Sequence, residues 1–171
     1  RAPAKLNLGL RVGARRSDGY HRIRTVFQTV TLSDSITVEP AEGDDDRLSI
    51  DGPVDLEPEP DNLVYRAVRF IRNHIVDLPP LRLHLDKTVP TGAGLGGGSS
   101  DAAAVIRALL ESTNRDPLAE IEPELLAQEL GADVPFFLRG GTVQARGIGE
   151  QLTPLKDLEA YVLIGVPPFE V

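Results

Sequence analysis

Five glycines fall within seven residues, Gly92, Gly94, Gly96, Gly97 and Gly98, in the segment Pro90-Thr91-Gly92-Ala93-Gly94-Leu95-Gly96-Gly97-Gly98-Ser99-Ser100. Glycine loses the most freedom on folding and contributes nothing to packing, so such density needs a reason other than core building. The segment is wedged between two regular elements. Leu81, Leu83 and Leu85 alternate before it as in a strand, and from about Ser99 to Leu110 the residues Ala103, Ile106 and Leu110 keep helical spacing. A flexible linker has no place between them. Backbone amides that must approach a ligand closely account for the glycines, and a helix opened by Ser99 and Ser100 adds unpaired amides and a partial positive charge. The loop is therefore read as a phosphate site. It is not a Walker A motif, because no Gly-Lys-Ser/Thr closes it. Gly92-x-Gly94-x-x-Gly97 fits the dinucleotide pattern only formally, lying mid-chain with Asp116 at a helix end. Neither a Val-Ala-Ile-Lys strand nor an Asp-Phe-Gly segment accompanies it, as a protein kinase would require.

Composition narrows the partners. The 171 residues suit one domain of ordinary size, or one and a fraction. The chain starts at Arg1 and stops at Phe169-Glu170-Val171 after an apolar run, and it is expected to be a piece of a longer protein. With no cysteine it has no disulfide framework, thiolate nucleophile or zinc-thiolate site, which fits a reducing compartment. No apolar run approaches membrane-spanning length, so a soluble cytoplasmic protein with no membrane partner is expected. The formal net charge of −8 opposes a nucleic-acid partner, whose backbone needs a basic face. That average hides an asymmetry: Arg1, Lys5, Arg11, Arg15, Arg16, Arg22 and Arg24 face Asp18 alone, a local +6 that leaves −14 for the remainder. A basic lobe on an acidic protein can steer a small polyanion.

Between Ala4 and Val12, Leu6, Leu8 and Leu10 alternate with Lys5, Asn7 and Gly9, which predicts a half-buried strand with Lys5 and Asn7 on one face. Asp18-Gly19 signals a turn, and the run Ile23–Leu32 after it predicts a hairpin with Tyr20 and His21 at its return. Short strands are expected at Ile36–Val38 and Leu48–Ile50. The acidic loop Glu42–Asp46 between them lacks calcium-loop spacing and reads as solvated surface. Asp61 is placed to cap a helix with Val64, Ala67, Val68, Ile71 and Ile75 on one face and Arg66, Arg69 and Arg72 exposed. A helix over Pro123–Leu130 stops at Gly131, and strands at Thr142–Arg146 and Tyr161–Val166 complete the chain. Strands interleaved unevenly with helices give an α+β class with a mixed or antiparallel sheet.

With its neighbours, the loop resembles the hallmark of the GHMP kinases, small-molecule kinases that include galactokinase, homoserine kinase and mevalonate kinase. Here it reads Gly94-Leu95-Gly96-Gly97-Gly98-Ser99-Ser100, followed by Asp101-Ala102-Ala103-Ala104. Three further strings narrow the resemblance to the 4-diphosphocytidyl-2-C-methyl-D-erythritol kinases: Pro3-Ala4-Lys5-Leu6-Asn7-Leu8, Arg16-Ser17-Asp18-Gly19-Tyr20-His21, and Leu130-Gly131-Ala132-Asp133-Val134-Pro135-Phe136-Phe137. The resemblance spans nearly the whole chain. It implies a fold like the second domain of ribosomal protein S5, with residues 1–158 as the N-terminal GHMP domain and 159–171 as the start of a C-terminal one. It also implies transfer of the ATP γ-phosphate, from the Mg2+ complex, to the 2-hydroxyl of a cytidine diphosphate-linked polyol of the non-mevalonate isoprenoid route.

Lys5 and Asp133 match the family's catalytic pair. The chemistry asks for a carboxylate to orient or deprotonate a hydroxyl, and for a cation that keeps it ionised and offsets charge on the moving phosphoryl group. Taken alone, Lys5 is equally an ordinary strand-surface lysine and Asp133 a turn or capping residue. Tyr20 and His21 resemble the residues that stack on cytosine and read its polar edge, and Asn7 a residue that positions the substrate. Besides Pro90 to Ser100, the resemblance places Asn62 and Lys87 near the adenine, although Asn62 could equally cap a helix. Ser100 could approach nucleotide-bound magnesium, but no dedicated metal cage is present and no residue is assigned to metal. The rival readings are a nucleotide-binding fragment without turnover and another GHMP kinase of the homoserine or mevalonate type. An S5-like RNA-binding module is opposed by the net charge.

Overall fold

The structure is a computed structural model that describes residues 1–16, 19–53 and 59–166. In chain order its elements are β1 (Ala2–Arg15), β2 (His21–Pro40), β3 (Arg47–Asp51), α1 (Leu63–His74), β4 (Leu81–Asp86), α2 (Gly97–Ser112), α3 (Pro117–Glu120), α4 (Pro123–Glu129), α5 (Val134–Arg139), β5 (Thr142–Arg146) and β6 (Gln151–Pro154). The sheet runs β3-β4-β2-β5-β6, with β1 also paired to β2. All pairs are antiparallel except β3 with β4, which α1 joins as a parallel crossover. The class is α+β with a mixed sheet, as the uneven interleaving predicts.

β2 is the spine, pairing with β1, β5 and β4 along its 20 residues. It fuses two runs that the sequence presents as separate strands. Ser33-Asp34-Ser35 between them does not break the ladder, because the Asp34 carboxylate is satisfied inside the protein by the amides of Thr88 and Val89, at 2.5 and 2.7 Å, and by Lys87. Behind the sheet, α2 packs against α1 and α5 over a core that includes Phe27, Leu83, Leu85, Val68, Ile71, Ile106, Leu110 and Phe136. Each such side chain contributes about 2 kcal/mol when fully buried. Phe27 and Phe136 meet with ring centroids 4.8 Å apart, so the spine strand and α5 are locked face to face.

Several expectations are corrected. The leucine face of β1 is covered only at Leu6, which packs on Ala4, Val89 and Leu95, whereas Leu8 and Leu10 are 47% and 53% exposed. The buried residues of β1 are Ala2, Ala4 and Lys5, where α2 and the glycine loop meet the strand. Among the described residues, 161–166 form no strand: Ile164 packs with Leu6, Val30 and Leu32 on one apolar cluster through its side chain, without a backbone ladder. Asn62, not Asp61, caps α1, its Oδ1 accepting from the Val64 amide at 2.9 Å. The short helices α3 and α5 escape a periodicity reading, since four and six residues are too few for a periodic pattern. The acidic loop is more than solvated surface. Asp46 takes two hydrogen bonds from Arg72, at 2.8 and 2.9 Å, and one from the Leu81 amide at 2.9 Å, clamping the loop to α1 and β4. The Arg72 guanidinium holds the Asp46 carboxyl below its usual range. The expected turn at Ser17 and Asp18, part of the turn-rich stretch before α1 and the final Phe169-Glu170-Val171 lie outside the described residues.

Candidate active site

The glycine loop delivers its helix by a left-handed step. Gly96 sits at φ 72°, ψ 21° as the N-cap of α2. A Cβ there would lie 2.8 Å from the ring of Phe137 and 3.2 Å from Lys5 Cγ, so both conformation and space require glycine. No side chain caps α2, and its first residues, Gly97 to Ser99, line the cavity in front of the loop. That cavity, of about 270 Å³, is lined by Pro90 through Ser99 with Leu63 and Lys87. An uncapped helix N-terminus above a concave loop is an anion site. Ser100 is not part of it: its hydroxyl is buried and donates to the Pro3 carbonyl at 2.7 Å.

That bond is one of two stitches between β1 and the loop, the other running from the Lys5 amide to the Leu95 carbonyl at 2.9 Å. Together they bring the Lys5 side chain out beside Gly96. Its ammonium donates to Asn7 Oδ1 at 2.7 Å, lies 5.1 Å over the Phe27 ring, and stands 3.4 Å from Asp133 Oδ2. Asn7 in turn donates to Thr25 Oγ1 at 3.1 Å, which fixes its orientation. Asp133 occupies the N-cap position of α5 but makes no side-chain cap bond, so its carboxylate faces Lys5 instead of its own helix. Lys5 is nearly buried, with a side chain 9% exposed, whereas Asp133 at 29% still reaches solvent and therefore a ligand. The result is a cation and an accessible carboxylate beside a glycine loop and an uncapped helix N-terminus, groups of the kind that phosphoryl transfer to a hydroxyl uses.

The remaining candidates are less concentrated. Asn62 spends its side-chain oxygen on capping α1, and only its neighbour Leu63 reaches the cavity. Lys87 lies at the cavity floor, but its ammonium is held by Asp34 and Asp101 at 2.5 and 2.9 Å, and its side chain is only 3% exposed. Tyr20 and His21 sit at the hairpin tip, where His21 Nδ1 donates to the Gly13 carbonyl at 3.1 Å. His21 pairs with Arg15 and Thr29 with Lys5, so eight residues of β2, roughly 26 Å of extended chain, separate the tip from the lysine. Register shifts between Pro3 and Lys5, Asn7 and Gly9, and Val12 and Arg15 bend the hairpin.

Sequence reasoning misses Thr25, Asp34 and Asp101. Each is a polar residue with a buried side chain in or beside an apolar run, and that placement is the available signal. Among the described residues, no group of three or more His, Cys, Asp or Glu side chains is arranged to hold a metal, and no helix is long and apolar enough to cross a membrane.

Residues 62–141 match the family described as GHMP kinases N terminal domain. A relative from Thermus thermophilus, named 4-diphosphocytidyl-2-C-methyl-D-erythritol kinase, is 47% identical over 90% of this chain and 52% of its own length. One of the same name from Porphyromonas gingivalis is 41% identical over 98% of this chain and 62% of its own. The chain thus spans between half and two thirds of the curated relatives it matches. A crystal structure of 4-(cytidine 5'-diphospho)-2C-methyl-D-erythritol kinase superposes with a TM-score of 0.70 at 46% identity, covering 90% of this chain and 53% of that one. The Methanococcus jannaschii mevalonate kinase shares the fold alone, with a TM-score of 0.55 at 15% identity over 91% of this chain and 54% of its own.

Proposed function

Because this chain carries a GHMP kinase N-terminal domain, we propose that it supplies the phosphoryl-transfer part of an enzyme that moves the γ-phosphate of ATP to the 2-hydroxyl of 4-diphosphocytidyl-2-C-methyl-D-erythritol. The observation that carries the reading is the Lys5–Asp133 pair, 3.4 Å apart, set beside the turn that opens α2. The loop amides and the α2 N-terminus hold the nucleotide phosphates. Asp133 accepts a hydrogen bond from the 2-hydroxyl. As the hydroxyl oxygen forms its bond to the γ-phosphorus, the bond from that phosphorus to the bridging oxygen of ADP breaks, and the proton passes to Asp133. Lys5, 3.4 Å from Asp133, orients that carboxylate and offsets charge on the moving group, while Asn7, anchored on Thr25, fixes the direction of the ammonium. Magnesium, proposed as part of the nucleotide complex, supplies further charge compensation on the phosphates.

The substrate lies along the hairpin in this reading, with its cytosine at Tyr20 and His21. With Nδ1 donating to Gly13, the His21 ring offers Nε2 as an acceptor to an exocyclic amine. The identity above 40% to relatives named for this activity supports the substrate class. The test is phosphorus NMR of a mixture of the full protein, ATP and the cytidine substrate. A new phosphomonoester on the 2-hydroxyl, in step with ADP, is expected; no ATP-dependent product, or phosphate on a different hydroxyl, would contradict the assignment.

A further inference from the structure

Beneath the glycine loop three charged side chains meet in the interior. Asp34 of β2, Lys87 just beyond β4 and Asp101 in the second turn of α2 have side chains 0%, 3% and 4% exposed. The Lys87 ammonium stands 2.5 Å from Asp34 Oδ2 and 2.9 Å from Asp101 Oδ2. Asp34 Oδ1 takes the amides of Thr88 and Val89, the two residues that lead from Lys87 into the loop. A Cβ on Gly97 would lie 3.0 Å from Lys87 Nζ, so the ammonium sits directly under the first turn of α2. Asp101 Oδ1, by contrast, is buried without a hydrogen-bond partner.

We propose that Asp34, Lys87 and Asp101 form a positioning triad for nucleotide binding, in which one ammonium shared by two carboxylates clamps the entry of the glycine loop to α2 and sets the charge beneath the phosphates. The inference rests on the nucleotide reading of the loop given above, and it makes Lys87 the residue that holds the phosphate loop rather than one that touches the nucleotide. Geometry gives the clamp its reach: the three groups tie together the spine strand, the strand before the loop and the helix after it. Charge gives it a second role. When all three groups are ionised the cluster carries one net negative charge, buried behind the amides that must attract phosphate.

Burial pushes Asp101 up to about 7, with Asp34 adding to the rise and Lys87 opposing it. Burial also works against the Lys87 ammonium, but Asp101 and Asp34 outweigh it and keep lysine charged. The other charged groups near α2's start are Lys5 from β1 and Asp133 ahead of α5, across the Gly96 turn. α1 presents Val64, Ala67 and Val68 to the core, with its arginines engaged on Glu129, Pro60 and Asp46. Below pH 7 the retained proton makes the triad neutral. Above it, the uncompensated negative charge opposes phosphate, so affinity for nucleotide falls as pH rises.

The test measures the dissociation constant of a non-hydrolysable ATP analogue with Mg2+ between pH 6 and 8.5, on the full protein and on Asp101→Asn and Lys87→Met. Titration of the analogue itself is common to all three. The parent is expected to weaken about ten-fold across the range, and Asp101→Asn to lose most of that slope. Lys87→Met, which strands two buried carboxylates, is expected to weaken the analogue at least ten-fold at pH 7 while CDP binding is unchanged. An Asp101→Asn profile parallel to the parent's would overturn the proposal, as would parental affinity in Lys87→Met. The near-isosteric Asp101→Asn keeps the question open to measurement even where Lys87→Met does not fold. Loss of turnover on the cytidine substrate with the pH slope intact would remove the substrate assignment and leave the triad standing.

Discussion

At the scale of single residues, the site depends on side chains that decline their local roles. Asp133 stands where a helix cap belongs yet bonds no α5 amide, and Lys5 lies on a strand yet is nearly buried. Neither property is written in the spacing of the sequence. The two residues are 128 positions apart, and in the sequence only motif resemblance pairs them; their 3.4 Å approach is a property of the fold. Asn62 shows the converse: its type permits a ligand contact, but its oxygen is committed to the Val64 amide. Tyr20 carries the substrate end of the proposal, with a half-exposed ring at the hairpin tip. Tyr20→Ala is expected to raise KM for the cytidine substrate about ten-fold, in line with a lost stacking contact of about 1–3 kcal/mol, and to leave KM for ATP within two-fold. Steady-state kinetics with each substrate varied in turn checks this, and equal loss for both would remove the cytidine assignment.

Elements show how far periodicity reads and where it stops. The cores of α1, α2 and α4 are legible because apolar residues recur at helical spacing, and β4 because its leucines alternate strictly. β2 reads as two pieces, Ile23–Leu32 and Ile36–Val38, and the Asp34 between them stays in the ladder because Lys87, Thr88 and Val89 satisfy it. The leucines of β1 read as one face of a half-buried strand, and only Leu6 is covered, because alternation identifies a face but not what covers it. Gly96→Ala tests the junction of loop and helix. A methyl group at φ 72° against the Phe137 ring is expected to cost about 2 kcal/mol or more, seen as a lower denaturation midpoint, with weaker ATP binding because Lys5 Cγ must also shift. Arg72→Ala tests the clamp that the acidic loop conceals, with an expected loss of about 2 kcal/mol at pH 7. The folded-state pKa of Asp46 is depressed, so its contribution is present above the ordinary carboxylate value and lost as pH falls through the lowered one. The gap between parent and Arg72→Ala should therefore close in acid, and a gap constant down to about pH 2 would contradict that role.

For the molecule as a whole, pH acts in opposite directions at two carboxylates. The Asp46 clamp is lost in acid, whereas Asp101 binds its proton more tightly folded than unfolded, so its contribution to stability falls as pH rises from about 4 to about 7. Asp101→Asn is accordingly expected to narrow the stability difference between pH 5 and pH 8 in calorimetric melts, and an unchanged difference would count against the shift. The architecture also explains how the parts of the candidate site are held together. A single spine strand carries Thr25, Phe27 and Asp34, which touch the Asn7–Lys5 relay, the lysine's aromatic floor and the clamp under the phosphate loop. Under the proposed function, one strand would hold both phosphate binding and hydroxyl activation, with the hairpin tip left to reach the rest of the substrate. The central claim is that Asp133, held by Lys5, activates the accepting hydroxyl next to a loop that binds nucleotide independently. Its most direct test is the single-turnover rate of Asp133→Asn on the cytidine substrate, measured beside the ATP dissociation constant. A rate lowered by about 10² or more with ATP binding within three-fold of the parent is the predicted result, and a rate within a few-fold of the parent would contradict the account.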